Sequence, residues 1–196
     1  MSAAEQQSMN SELAPSSGSL ESWIEELVKY QPADWEKLPE IELYMDQVIN
    51  FINSRLEPLT TGRERLLSPS MVNNYVKDGV LPRPEKKKYS RSHLAMITII
   101  CSLKSVMQLP EIDDILRGLT AECGIEEQYP VFLQMHAGAV KEVAGRLSQL
   151  DTHDADARYL LALRLALESK VRRVAAARLL ARPKENETDG REKDKK

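Results

Sequence analysis

Apolar residues recur every three or four positions over most of this chain, and alternating patterns are nearly absent. Such spacing predicts amphipathic helices. In Leu20–Tyr30, Trp23, Ile24, Leu27 and Val28 share one helical face, and Gln31-Pro32 ends the run. A second helical pattern spans Asp34–Arg55, with Ile41, Tyr44, Met45, Val48, Ile49 and Ile52 forming a broad stripe. Leu56–Leu67, with Pro58, Gly62 and two threonines, reads as a loop.

Ser68 then caps a short helix with Pro69 at its first position, where a missing N–H costs nothing. Val72, Tyr75 and Val76 form its buried face, and Gly79 suits the left-handed stop. Val80–Ser90 holds the one plausible hairpin, with Pro82 and Pro84 around Arg83 and then Glu85–Lys88. Ser90 or Ser92 caps His93–Gln108, an almost wholly apolar helix expected to lie at the centre of the core. Pro110 opens another, with acidic residues in its first turn and Ile112, Ile115, Leu116 and Leu119 facing inward.

Two longer helices follow. Pro130–Leu147 carries Phe132, Met135, Ala139, Val143 and Leu147. Asp154–Ala181, capped by Asp151 or Thr152, carries Leu160, Leu163, Leu167, Val171 and Val174 and stops at Pro183. A continuous stripe on so long a helix packs on a neighbour, either Pro130–Leu147 of the same chain or a second copy. The expected organisation is a disordered tail at 1–19, a first domain at 20–120, a C-terminal helical region at 126–182 for dimerisation or effector sensing, and a disordered charged tail at 183–196.

Charge changes the picture more than composition does. The chain of 196 residues has a net charge of −3 and is 5% aromatic. From Met1 to Thr60 there are eleven acidic residues against three basic ones. From Tyr75 to Lys104 seven basic residues face two acidic ones. A local basic patch on an acidic body favours docking at one place over general coating of a polyanion. Two cysteines cannot make a disulfide framework or a closed zinc site, and Cys101, inside MITIICSL, is expected buried. No span reaches membrane length and no leader pattern opens the chain, so the cytoplasm is the expected compartment.

The chemistry concentrates in SPSMVNNYVKDGVLPRPEKKKYSRSHL. Ser70, Asn73, Asn74 and Lys77 fall on the polar face of the Ser68 helix, where amides can pair with adenine and Lys77 with guanine or a phosphate. Arg83, Lys86, Lys87, Lys88 and Arg91 are placed to hold phosphates. A helix–turn–helix would use Asp34–Arg55 as the supporting helix. His93, His136 and His153 show no ligand spacing, and His93 is expected at the surface or on a phosphate. Phosphate-loop, GxSxG and HExxH motifs are absent, so no enzyme, metal or cofactor is expected.

Tyr75, Gly79, Val80, Leu81, Pro82, Tyr89, Ser90, Leu94 and Ile112 occur in an order that resembles the DNA-binding domain of MerR-type regulators. The segment from Val72 to Leu94 is also similar to an uncharacterised bacterial domain family built on that scaffold, over about Leu20–Leu119. The resemblance implies an all-α winged helix-turn-helix with a small β-hairpin wing and a C-terminal helical extension. It also implies a sequence-specific transcriptional regulator of double-stranded DNA, possible homodimerisation, and an effector whose identity is unknown. This chain departs from the MerR pattern at Asn73-Asn74, where an Arg-Tyr pair is usual. Its wing is shorter by about four residues and lacks the Gly-Tyr-Arg of that family. An adaptor that kept the scaffold but does not read bases is the alternative.

Overall fold

The computed structural model describes residues 19–60 and 66–181. The expected tails, Ser19 apart, lie outside them, as does the centre of the loop after residue 56. The described residues form seven α-helices, two short 3-10 turns and one two-stranded antiparallel sheet. No described helix is long and apolar enough to cross a membrane.

Helix α1 (Leu20–Lys29) starts where the Ser19 hydroxyl accepts from the Ser22 N–H. The expected helix over Asp34–Arg55 is divided. Trp35–Lys37 is a 3-10 turn, Leu43–Tyr44 is strand β1, and only Met45–Leu56 is helical (α2). Gln47 supplies the reason, because its Oε1 accepts the Tyr44 N–H at 2.9 Å and so starts the helix there. Ile41 and Tyr44 consequently point to solvent rather than to the core.

Helix α3 (Pro69–Lys77) and strand β2 (Lys88–Tyr89) follow, then α4 (Arg91–Leu103). The last five residues of the expected central helix, Lys104–Gln108, turn away instead, and Val106 is exposed. Helix α5 (Leu109–Thr120) is begun by Glu111, whose Oε2 accepts the Gln108 N–H at 2.8 Å. Helix α6 (Ile125–Leu147) starts a turn and a half earlier than Pro130 suggested, with Gly124 at its N-cap and Glu126 and Glu127 in its first turn. Helix α7 (Ala155–Leu180) starts where Asp154 Oδ1 accepts from the Ala157 N–H.

α4 is the centre of the molecule. Leu94, Ala95, Ile97 and Ile100 have no exposed surface, and Thr98 and Ser102 return their hydroxyls to carbonyls of their own helix. α2, α5, α6 and β2 pack around it. The main core runs on beyond residue 120, taking in Tyr129, Phe132 and Leu133 of α6. Cys101 is buried there as expected, and burial pushes its thiol up to about 12. A second, smaller core joins Ile24 and Leu27 of α1 to Ala144 and Leu147 of α6.

Ile97→Ala should therefore cost about 3 kcal/mol of folding stability, because neighbours on every side cannot all close the cavity. Urea unfolding followed by circular dichroism will measure it. A loss below about 1 kcal/mol would mean that α4 is not enclosed as described.

A candidate nucleic-acid interface

α3 presents two faces. Val72 and Tyr75 are buried, and burial pushes the Tyr75 phenol up to about 12, so it stays neutral. Ser70, Asn73, Asn74 and Lys77, spaced i, i+3, i+4 and i+7, all lie exposed on the other face. Ser70 exchanges a hydroxyl contact of 3.0 Å with Ser68. The side chains of Asn73, Asn74 and Lys77 have no hydrogen-bond or ion-pair partner among the described residues, so their donors and acceptors are available to a ligand.

The exit from α3 is tightly built. Gly79 takes the left-handed conformation at φ +77°, and the Val80 and Leu81 N–H groups both donate to the Tyr75 carbonyl at 3.0 Å. Val80 and Leu81 then enter the core. This pins the middle of the path between the exposed face of α3 and the lysine run.

The lysine run is a two-residue turn. The Lys88 N–H donates to the Glu85 carbonyl at 2.8 Å, and Glu85 bridges Lys88. Lys86 and Lys87 between them sit at φ +47° and +64°. Two successive left-handed residues are what a type I′ hairpin turn requires, normally met by Asn-Gly. Side chains with a Cβ hold that conformation at a cost of roughly 1 kcal/mol each. Both lysines are fully displayed at the tip.

Within Val80–Ser90 the hairpin expected there is reduced to this one antiparallel bridge, and the strand beyond it pairs with β1 instead. Leu43 stands opposite Tyr89 and Tyr44 opposite Lys88. Lys88 is thereby half-buried, its ammonium 5.5 Å from the centre of the Tyr44 ring. Tyr44, which the helical reading placed in the core, is an exposed aromatic at the edge of the basic turn. Nothing in its helix-compatible spacing distinguished it. The one available signal was Gln47, three residues on, as a helix start. α2 packs against α3, β2 and α4 alike, so the helix face and the lysine turn share one support.

Two expected contacts are already committed to the fold. Arg91 stacks its guanidinium 5.6 Å over Trp35 and reaches Glu40 at 3.3 Å, with little of the side chain exposed. It holds the 35–40 segment onto α4 and is not a free phosphate ligand. His93 is half-buried and engaged with its own neighbours. Its Nδ1 accepts the Ser90 N–H at 3.1 Å and lies 2.8 Å from the Ser90 hydroxyl, its ring meets Tyr89 edge-on, and its Nε2 is buried. Burial lowers its pKa, against the carbonyls of Pro82 and Arg83, which favour its proton.

The family described as "domain of unknown function (DUF1836)" matches residues 33–132, just over half of the chain. The chain belongs to this family. The DUF1836 domain thus includes the helix face, the lysine turn and all of α4 and α5, and it ends inside α6. No curated protein and no solved structure matches the chain.

Replacing Lys86-Lys87 with Asn-Gly should stabilise the DUF1836 domain by about 1 kcal/mol, since these residues accept left-handed backbone more readily. Denaturant unfolding at an unchanged m-value will show it, and a destabilised variant would place the strain elsewhere. Acid will act through two half-buried imidazoles. His93 and His136 both titrate below the ordinary histidine value because burial disfavours their charged forms. The unfolded chain then binds more protons between those lowered values and about 6.5, so stability is full above about 6.5 and falls as pH drops through that window. His136→Phe, which keeps the stack on Phe132, should flatten part of that fall in a pH series of thermal melts. An identical pH profile would clear His136 of the effect.

Proposed function

We propose that this protein is a sequence-specific DNA-binding transcriptional regulator. Its DNA-binding unit would be a winged helix-turn-helix of MerR-like kind, with α2 and α3 as the helix pair and the Glu85–Lys88 turn as the wing. The observation that carries the reading is the outward face of α3, where Asn73, Asn74 and Lys77 are exposed and unengaged on a helix whose other face is locked into the core. A recognition helix needs that combination: donors and acceptors free for base edges, on a support that cannot roll.

On this reading Asn73 and Asn74 face the base edges, Ser70 and Lys77 flank them, and Arg83, Lys86 and Lys87 lie along the phosphates. Lys88 contributes from its place over Tyr44. Arg91 acts by positioning, through Trp35 and Glu40. Two adjacent lysines kept in an unfavourable backbone conformation fit a tip selected for what it touches.

The second reading is a protein–protein adaptor on the same scaffold. It is favoured by the net charge of −3 and by Asn73-Asn74 standing where the MerR pattern has Arg-Tyr. Salt separates the two. Phosphate contacts make DNA affinity fall linearly on a log–log plot against salt, with a slope of about −0.9 per phosphate neutralised.

Selection of random duplexes by the full-length protein at low and near-physiological salt should enrich one motif. Lys86, Lys87 and Lys88 changed together to Glu should abolish retention while leaving the circular dichroism spectrum intact. Asn73→Ala should cost about 1–3 kcal/mol on the enriched motif and little on random DNA. No retained DNA even at low salt would sink the regulator reading in favour of the adaptor.

A further inference from the structure

We infer that the cavity between the flank of α3 and the α4–α5 turn binds a small organic carboxylate with an apolar chain, and that this guest steadies α3. The second half rests on the reading of α3 as a recognition helix; the first half does not. The cavity holds about 450 Å³, within the range of small-molecule sites. It lies in the first domain, apart from residues 126–182, where effector sensing was expected.

The walls come from two helices and the turn between α4 and α5. Met71 and Tyr75, four residues apart, stand on one flank of α3, beside the face that carries Asn74. Met107, Leu109 and Ile112 add apolar lining, and Ile112 has no exposed surface. The turn that brings Lys104, Ser105 and Gln108 to the cavity is held in shape from within. Its Val106 and Met107 N–H groups both donate to the Leu103 carbonyl at 2.9 Å. Two thioether side chains in such a lining adapt to the shape of an aliphatic guest.

The polar groups of the lining set the charge of that guest. Lys104 is its one cation, and none of the lining residues is acidic. Lys104 is half-buried, and an opposite charge is attracted more strongly there than in open water. It already has an interaction within the fold, and an ammonium with three N–H donors can serve a second acceptor. Tyr75, Ser105 and Gln108 supply neutral donors. Tyr75 leaves 6% of its surface exposed, and nothing hydrogen-bonds its hydroxyl among the described residues. Burial keeps that phenol protonated, so it can donate to a carboxylate oxygen. In the adjoining first turns of α5, Glu111 is held by the Gln108 N–H and Arg173, and Asp113 by Arg117.

The position of the cavity couples it to α3. Val72 and Tyr75, buried, stop the helix from rolling, and α2 packs on it from one side. On the flank of Met71 and Tyr75 it meets open space, so a tilt toward the α4–α5 turn is not opposed. A guest fills that space and removes the tilt before DNA arrives. Guest and DNA then bind cooperatively, each raising the affinity of the other by the same factor.

Octanoate is the probe, and the full-length protein with ¹³C-labelled methionine methyls is the sample. Octanoate should shift the Met71 and Met107 resonances with half-saturation on the order of 0.1–1 mM, and leave those of Met45 and Met135 in place. Octanamide should bind about tenfold more weakly, for want of the charge. Lys104→Met should bring octanoate down to the octanamide level, and Tyr75→Phe should weaken it about threefold. On a duplex enriched by selection, saturating octanoate should raise affinity about fivefold, and Lys104→Met should remove that gain. Met71 and Met107 resonances unmoved at roughly 10 mM octanoate, or octanamide binding as well as octanoate, would overturn the site. Shifted resonances with unchanged affinity for a duplex the protein does bind would overturn the coupling. Shifted resonances in a protein that retains no duplex, with or without octanoate, would sink the DNA reading and uphold the site.

Discussion

A helix that is apolar on nearly every side can exist in water only where other elements enclose it, and α4 imposes that condition on this molecule. Its residues from Leu94 to Ile100 remove almost all their surface from solvent, at a gain of about 25 cal/mol for each Å² of apolar area. The enclosing elements have their places fixed by it. α2 lies on one side and α6 on another, and α5 folds back after the short Lys104–Gln108 turn. β2 runs directly into its start, so the lysine turn hangs from the most enclosed helix. The exposed face of α3 is held indirectly, through α2.

Helix starts in this protein are set by a recurring device. Gln47, His93 and Glu111 each stand at the third helical position and accept the N–H of the residue before the helix. The first of these divides the 34–56 segment, and the second holds the junction between turn and core helix. The third does two jobs. The Glu111 carboxylate closes the start of α5 and receives Arg173 from α7, and both contacts keep it charged, the backbone N–H foremost.

How far the sequence disclosed the structure depends on the range of the forces involved. Elements set by periodicity and a local cap were legible: α1, α3 with its Ser68 cap and Gly79 stop, the body of α4, and the extent of α7, whose cap is Asp154 rather than the expected Asp151 or Thr152. Segments whose conformation depends on a distant partner were not. Leu43–Tyr44 carries helix-compatible spacing and becomes a strand because Lys88–Tyr89 lies beside it. Arg91 looked like a surface cation, and only its meeting with Trp35 and Glu40 shows otherwise. His93 misled for the same reason, since its enclosure comes from Tyr89 and the 82–83 backbone. In the candidate site the exposed residues of α3 and the lysine tip fell as the helical wheel and the proline brackets indicate. Tyr44 was hidden by its own neighbours.

The family match stops at residue 132, but the helix there does not. α6 continues unbroken to Leu147, and its second half carries Ala144 and Leu147 against Ile24 and Leu27 from the other side of the matched region. The segments flanking the shared domain are therefore not independent appendages. They clasp one another across its back, with Trp23 also tied to the Pro58 carbonyl at 3.0 Å. A fragment cut at the family boundary would sever a helix in mid-course and strip the cover that α1 lays along it. The packed unit in this chain thus extends past the matched residues at both ends.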